Sequence, residues 1–217
     1  MHAASPISDV GEWRKNGCGA SLSPEELFRV YLDYIPRYYE DGMPLSLQLG
    51  GFFSAGPREP DRWDVPLYRR PVSPEKCCVC GHARMVMYIS PEGRALPCMS
   101  LSGMEIQEKF PRIPEIGLAA CITDSFYMDF ISTRADKVLA HNPECRACKY
   151  RLWCRGGCRA CGLEESADLL RRDPAACSLF SGGWAAELVK LMRKIKPDAS
   201  SPVLRDGKFA ELLTKEE

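Results

Sequence analysis

Between Cys145 and Cys158 four cysteines stand in the spacing C-x2-C-x5-C-x3-C, and no other feature limits the fold of this chain as tightly. Four thiols within fourteen residues are too many and too regular for core packing, where a free cysteine serves as a small hydrophobe. A C-x2-C pair curls around one metal ion or one cluster edge, because the intervening backbone turns and aims its amides at the sulfurs. The chain carries twelve cysteines in 217 residues. That length buries a core as one large or two small domains, so the thiols are not needed to rescue a tiny fold. The opening MHAASPISDVGEWRK has neither the basic start nor the apolar run of a secretory signal. The expectation is therefore thiolate ligation in a reducing compartment rather than a secreted disulfide scaffold.

Charge narrows the setting further. Twenty-nine basic side chains balance 29 acidic ones, whereas a protein that coats nucleic acid or an anionic membrane needs surplus Lys and Arg to displace counterions. No run of 18 uncharged apolar residues is present, so no membrane span is expected. A cytoplasmic protein that binds neither nucleic acid nor membrane fits these observations.

Local pattern sets the elements around the cysteines. Ser23-Pro24-Glu25-Glu26 is a capping box with proline at the first helical position, and Leu27, Val30, Tyr31, Tyr34, Ile35 and Tyr38 then share a predicted helical face. Pro36 is a candidate kink, Gly42 a stop, and Pro44 to Leu49 alternates like a strand. Residues 1–10, with Pro6-Ile7-Ser8, are the candidate preceding strand of a βα repeat. A proline- and charge-rich loop begins near residue 54, and residues 57–76 read as a linker between two regions. Beyond it, Met85 to Ile89 and Arg94 to Cys98 read as a β-hairpin around Ser90-Pro91-Glu92-Gly93. A helix is predicted over Phe126 to Ala140. Trp184, Leu188, Leu191, Met192 and Ile195 share the face of another. The tail, residues 197–217, reads as mobile or loosely docked.

The remaining cysteines extend the first motif. Twelve residues separate Cys80 from Gly93 and four separate Gly93 from Cys98, so antiparallel pairing brings the two thiols toward each other. Cys177 follows Cys158 by nineteen positions. The combined pattern, C-x12-G-x4-C, then C-x2-C-x5-C-x3-C, then a final cysteine, resembles the SPASM domain appended to radical S-adenosylmethionine enzymes that mature peptides and proteins. The strings ISPEGRALPC and CRACKYRLWCRGGCRA carry the resemblance, which spans residues 77–180.

That resemblance implies an α+β fold. A SPASM-like domain over residues 77–196, made of a β-hairpin with cysteine-rich loops and helices, would follow a short βα remnant of a partial TIM-type barrel in residues 1–56. It also implies two auxiliary [4Fe-4S] clusters with interleaved ligands. Cys80, Cys98 and Cys158 would serve one, and Cys145, Cys148, Cys154 and Cys177 the other. Cys77, which completes a C-x2-C with Cys80, is the favoured fourth ligand of the first, with Cys78 the runner-up. If neither reaches, an open iron is left for substrate. Cys161 is read as a spare buried thiol rather than a substitute ligand, and Cys18 and Cys121 as small core residues. His82 and His141 are left out of both ligand sets.

Arg146, Lys149, Arg151, Arg155 and Arg159 crowd the second motif, with no acid between Cys145 and Leu163. They read as counter-charges for anionic clusters or as a solvated basic loop, with nucleic-acid binding a third reading that overall neutrality disfavours. Gly156-Gly157 is expected to let the backbone approach inorganic sulfide. Spacing alone also admits a tetrathiolate zinc site at Cys145, Cys148, Cys154 and Cys158; the hairpin match favours iron–sulfur. The chain has no C-x3-C-x2-C triplet, and only Cys18 precedes Cys77. The leading residues are too few for a barrel whose eight-unit form takes about 250. The chain is thus expected to be the C-terminal part of a maturase or a shortened relative. By itself it would not act as a radical enzyme, and S-adenosylmethionine would enter only if a partner core protein supplies its site. Leu45, Leu47 and Leu49 would then expose a strand edge and apolar surface unless another chain covers them or they repack. Two functions compete: an electron-transfer or substrate-binding module for a peptide or protein substrate, and a non-catalytic adaptor stapled by structural clusters or zinc. No side chain qualifies as a general acid or base, and Asp124, Asp129 and Asp136 read as surface carboxylates.

Overall fold

The computed structural model describes residues 2–4, 22–163 and 167–214; Cys18 and the candidate strand at Pro6-Ile7-Ser8 lie outside them. Helix α1 (Pro24–Glu40) starts as its capping box dictates: the Ser23 side chain accepts from the Glu26 amide, and the Glu26 carboxylate accepts from the Ser23 amide. Pro36 sits inside the helix without ending it. The stop is a Schellman motif. Gly42 adopts a left-handed φ of 75°, its amide donates to Tyr39 O, and the Met43 amide donates to Tyr38 O at 3.0 Å.

The face that α1 buries is Phe28, Tyr31, Ile35 and Tyr38. This corrects the predicted stripe, since Val30 and Tyr34 are 52% and 45% exposed. The deciding partner is Phe52, on which Phe28 stacks at 4.9 Å and which Tyr31 meets at 5.8 Å.

Strand β1 (His2–Ala4) pairs in parallel with β2 (Leu47–Leu49), so α1 is the crossover of one βαβ unit. Antiparallel β3 (Phe53–Ala55) and β4 (Trp63–Asp64) complete a sheet in the order β1-β2-β3-β4. The stretch 57–76 is therefore no bare linker: Trp63 and Val65 are buried, and the Trp63 amide donates to Ser200 O. Leu47 and Leu49 are buried within this chain, so these strands repack, and only Leu45 of the three stays exposed.

What they repack against is the C-terminal end. Helices α8 (Pro174–Phe180), α9 (Trp184–Ile195), α10 (Pro202–Arg205) and α11 (Gly207–Thr214) share one core with α1 and the sheet. The predicted loose tail is corrected here. Phe209 is fully buried and packs on the rings of Tyr68, Tyr150, Trp153 and Phe180, while Asp206 accepts from Tyr68 Oη at 2.9 Å and Trp153 Nε1 at 2.8 Å. Burial of a phenylalanine of this kind contributes about 1.5–3 kcal/mol, enough to hold a short helix that has no strong local propensity.

A second, smaller core lies under the hairpin. Strands β5 (Tyr88–Ile89) and β6 (Ala95–Leu96) pair antiparallel, Tyr88 with Leu96, around Gly93 at φ 78°. Ala95, Leu96, Leu101 and Phe110 are buried there with Cys121, which ends helix α2 (Ile113–Cys121) as a core residue. The helix predicted over Phe126–Ala140 is broken into α3 (Phe126–Ile131) and α4 (Ala135–His141). The break receives an edge of chain: Thr133 O accepts from the Val79 amide, and Cys77 O accepts from the Ala135 amide at 3.0 Å. The architecture is a mixed α+β fold with two small sheets, and among the described residues no helix is long and apolar enough to cross a membrane.

Candidate metal centre

Three short helices present the cysteine motif: α5 (Pro143–Ala147), α6 (Arg151–Cys154) and α7 (Arg159–Gly162). Pro143 at the first position of α5 and the left-handed Arg155, φ 55°, at the end of α6 cut what would otherwise be one helix into turns. Each turn ends near a cysteine. The Cys148 amide donates to Cys145 O, closing the first C-x2-C, and the Gly156 amide reaches the Cys154 sulfur.

Cys145, Cys148, Cys154 and Cys177 line one cavity of about 430 Å³. Burial first, and then the neighbouring Cys177, pushes the Cys145 thiol up to about 11 and the Cys154 thiol up to about 12. Cys177 is itself raised by burial, against the pull of Arg172, whose Nη1 stands 3.7 Å from its sulfur. Cys148 Sγ lies 3.5 Å from Ser181 Oγ. A single tetrahedral zinc ion, with Zn–S near 2.3 Å, would need four sulfurs drawn to one point. Cys158, the fourth member of the zinc alternative, does not line this cavity.

Cys158 belongs with Cys98 and Cys80. All three pack on the core under the hairpin. Burial raises the Cys98 thiol, and the negative sulfurs of Cys158 and Cys80 raise it again. Cys98 reaches this place at the start of a 3-10 turn, Met99–Leu101, directly after β6. Cys80 accepts from the Ala83 amide at 3.5 Å. Cys158 caps α7 and is pulled down to about 7, first by the thiol of Cys161, then against burial and Asp173 by the amides of Cys161 and Ala160. Cys161, expected to be buried, is half-buried.

Between the two groups stands Asp173, 1% exposed. Its carboxylate accepts from the Cys158 amide at 2.8 Å and caps α8 through the Ala176 amide at 3.1 Å. Its own amide donates to Gly156 O. Burial raises this carboxyl despite those donors. Its charge acts on Cys154, Cys158 and Cys177 alike. Arg159, 3% exposed, donates to Gly156 O and Arg171 O at 2.6 Å each, and among the described residues its Nε has no hydrogen-bond partner. Asn142 binds Val138 O and Leu170 O through its amide nitrogen and accepts from the Arg172 amide, fixing the arginine that faces Cys177.

The five cations of the motif divide. Arg155 and Arg159 are buried, Arg155 on Leu152 O and Arg70 O, while Arg146, Lys149 and Arg151 are exposed. Gly156 and Gly157 make room for protein rather than only for sulfide. A Cβ on Gly157, at φ 72°, would fall 2.3 Å from Asp173 Cβ, and one on Gly156 would fall 2.5 Å from Val138 Cγ1. Cys77 donates to Pro74 O at 3.6 Å and packs beside Val79, Ala135 and Val138, apart from Cys98. Cys78 meets Ser132 O and Arg84. His141 Nε2 is 2.6 Å from Asp168 Oδ2, outside either group.

Asp173, Arg172 and Asn142 escaped sequence reading. Asp173-Pro174, a cap followed by a first-turn proline just ahead of Cys177, was the available signal. Among the described residues, no three His, Cys, Asp or Glu side chains are closed around a point as a single ion requires. No protein-family model matches the chain, and no solved structure matches it.

Proposed function

We propose that this chain is a SPASM-like iron–sulfur module, carrying two [4Fe-4S] clusters, that serves a radical S-adenosylmethionine enzyme acting on a peptide or protein. One observation carries the reading. Cys158, though only four residues beyond Cys154, is parted from it and joins Cys80 and Cys98, while Cys177 takes the vacated place beside Cys145, Cys148 and Cys154. This is the interleaving that the spacing resemblance implies, and a single tetrathiolate zinc site has no use for it.

The fit to clusters is chemical as well as topological. Each group offers soft thiolate donors. The cavity lined by Cys145, Cys148, Cys154 and Cys177 has the Arg172 guanidinium at its wall, and Arg159 lies buried between the groups with an Nε–H that is unpartnered among the described residues, so the negative charge of bound clusters finds compensation inside the protein. Bound clusters supply one-electron acceptance and release. The chain's own residues do the remaining work: Asp173 locks the Cys158 turn to the start of α8, Asn142 aims Arg172, and the hairpin carries Cys98 to Cys158. A partner of the radical-core class would bring S-adenosylmethionine. The cytoplasm, where thiols stay reduced, suits these donors.

The test is anaerobic purification of the full chain, with iron, sulfide and zinc analysis and a visible spectrum. About eight irons with matching acid-labile sulfide are expected. Colourless protein with zinc and no sulfide would replace the module by a zinc-stapled adaptor.

A further inference from the structure

Resting on the two-cluster reading, we propose that Cys161, rather than Cys77 or Cys78, completes the ligand set of Cys80, Cys98 and Cys158. Cys158 caps α7 and Cys161 lies within its single turn, so the two form a C-x2-C whose intervening backbone aims the Ala160 and Cys161 amides at the Cys158 sulfur. The Cys161 thiol donates to that same sulfur. Ala160 and Leu163, which flank Cys161, are buried in the core on which Cys80 and Cys98 also pack. Cys161 is half-buried, neither sealed in the core nor free on the surface.

The upstream rivals are held elsewhere. Cys77 packs with Val79 on the small core of Ala135 and Val138. Its backbone is fixed there by the Ala135 amide, and its thiol is spent on Pro74 O. Cys78 bridges to Arg134 in the helix break, donates to Ser132 O at 3.8 Å and accepts from Arg84 at 3.6 Å. Turning the Cys77 sulfur toward Cys98 gives up its contact with Pro74 O, and turning that of Cys78 gives up those with Ser132 O and Arg84.

The experiment uses the full chain, reconstituted anaerobically with ferrous iron and sulfide, and three variants: Cys161→Ala, Cys77→Ala and Cys78→Ala. Cys161→Ala is expected to lose one cluster's iron, or to lose a single iron from it on mild oxidation, while the other cluster's signal persists and shows that the variant folds. Cys77→Ala and Cys78→Ala are expected to keep the parental iron count and spectrum. Differential alkylation of the unmutated, loaded chain gives a second readout that no folding defect disturbs. Iodoacetamide should label Cys77 and Cys78 before the iron is chelated and Cys161 only afterwards. A parental spectrum in Cys161→Ala with early labelling of Cys161, or cluster loss in Cys77→Ala or Cys78→Ala, overturns the assignment. A parent chain that takes up no iron sinks the two-cluster reading, and the assignment with it; a parent with both clusters and an unaffected Cys161→Ala sinks the assignment alone.

Discussion

Cys145, Cys148 and Cys154 reach one cavity from consecutive short turns, and only Cys177 is brought from farther along the chain. Cys80, Cys98 and Cys158 meet only when the hairpin has docked on its core and α7 has been pinned by Asp173. The first arrangement closes small loops and the second closes large ones, whose entropy must be offset by the surrounding core before the thiols converge. The local site is therefore built by sequence, the distant one by tertiary packing. The distinction is broken or kept by the largest effect available. Cys148→Ala and Cys98→Ala should each lose about four of eight irons, from different clusters. Iron and sulfide analysis of both variants, with the residual spectra compared, checks this; loss of all iron from either would show that the two sites form one unit.

Gly157 joins the regions, and its replacement should cost stability rather than selectivity. A residue with a Cβ at φ 72° meets both the left-handed penalty of about 1–2 kcal/mol and the overlap with Asp173 Cβ at 2.3 Å and Ala176 Cβ at 2.8 Å, an overpacking cost of about 1–3 kcal/mol. Gly183→Ala, at φ 84° with nothing within 4 Å, isolates the first contribution. Denaturant unfolding of the metal-free chains should rank Gly157→Ala well below Gly183→Ala. Equal midpoints would mean that the approach of α8 to the Cys158 turn is not a constraint.

Asp173→Ala comes next. It removes an N-cap, at about 0.5–2 kcal/mol, and leaves the buried Cys158 amide without an acceptor, at about 1–3 kcal/mol. Asp173→Asn keeps an oxygen for one of these donors and should lose roughly half as much. Because Asp173 stands between the groups, the alanine variant should weaken iron uptake at both, which iron titration reads directly; a defect confined to the Cys98 site would assign Asp173 to that region alone.

How much of this was legible in the chain follows the same division. The Ser23 capping box and the Gly42 stop were readable because every atom involved lies within a few residues. The predicted α1 face took in Val30 and Tyr34 and left out Phe28, because Phe52, on which Phe28 stacks, belongs to another element. The tail was invisible for the same reason. Val203, Phe209 and Leu213 make a weak stripe on two short helices, and what orders them is Tyr68, Tyr150 and Trp153 far upstream. At the candidate site, spacing announced the cysteines, but the break at Ser132 that receives Cys77 to Val79 has no local marker.

The smallest expected effect is a stability profile with two limbs of opposite sign in the metal-free chain. Cys158 sits at about 7 when folded against 9.0 for an ordinary thiol, so the folded chain holds its thiolate more readily than the unfolded one. The stability this contributes is full above pH 9 and is lost as pH falls through 7. Cys145 and Cys154 run the other way. Raised from 9.0 to about 11 and about 12, they stay neutral when folded, so their contribution is full below pH 9 and is lost as pH climbs through those values. Tyr31 and Tyr68, each raised by burial to about 12, add to the loss only above pH 10. Unfolding midpoints of the metal-free chain should therefore peak near pH 9. Cys158→Ser should flatten the limb below the peak and leave the limb above it, and Cys145→Ser should soften the onset between pH 9 and 10. A variant that alters the opposite limb would show that the thiols of the two regions titrate as one network rather than as two.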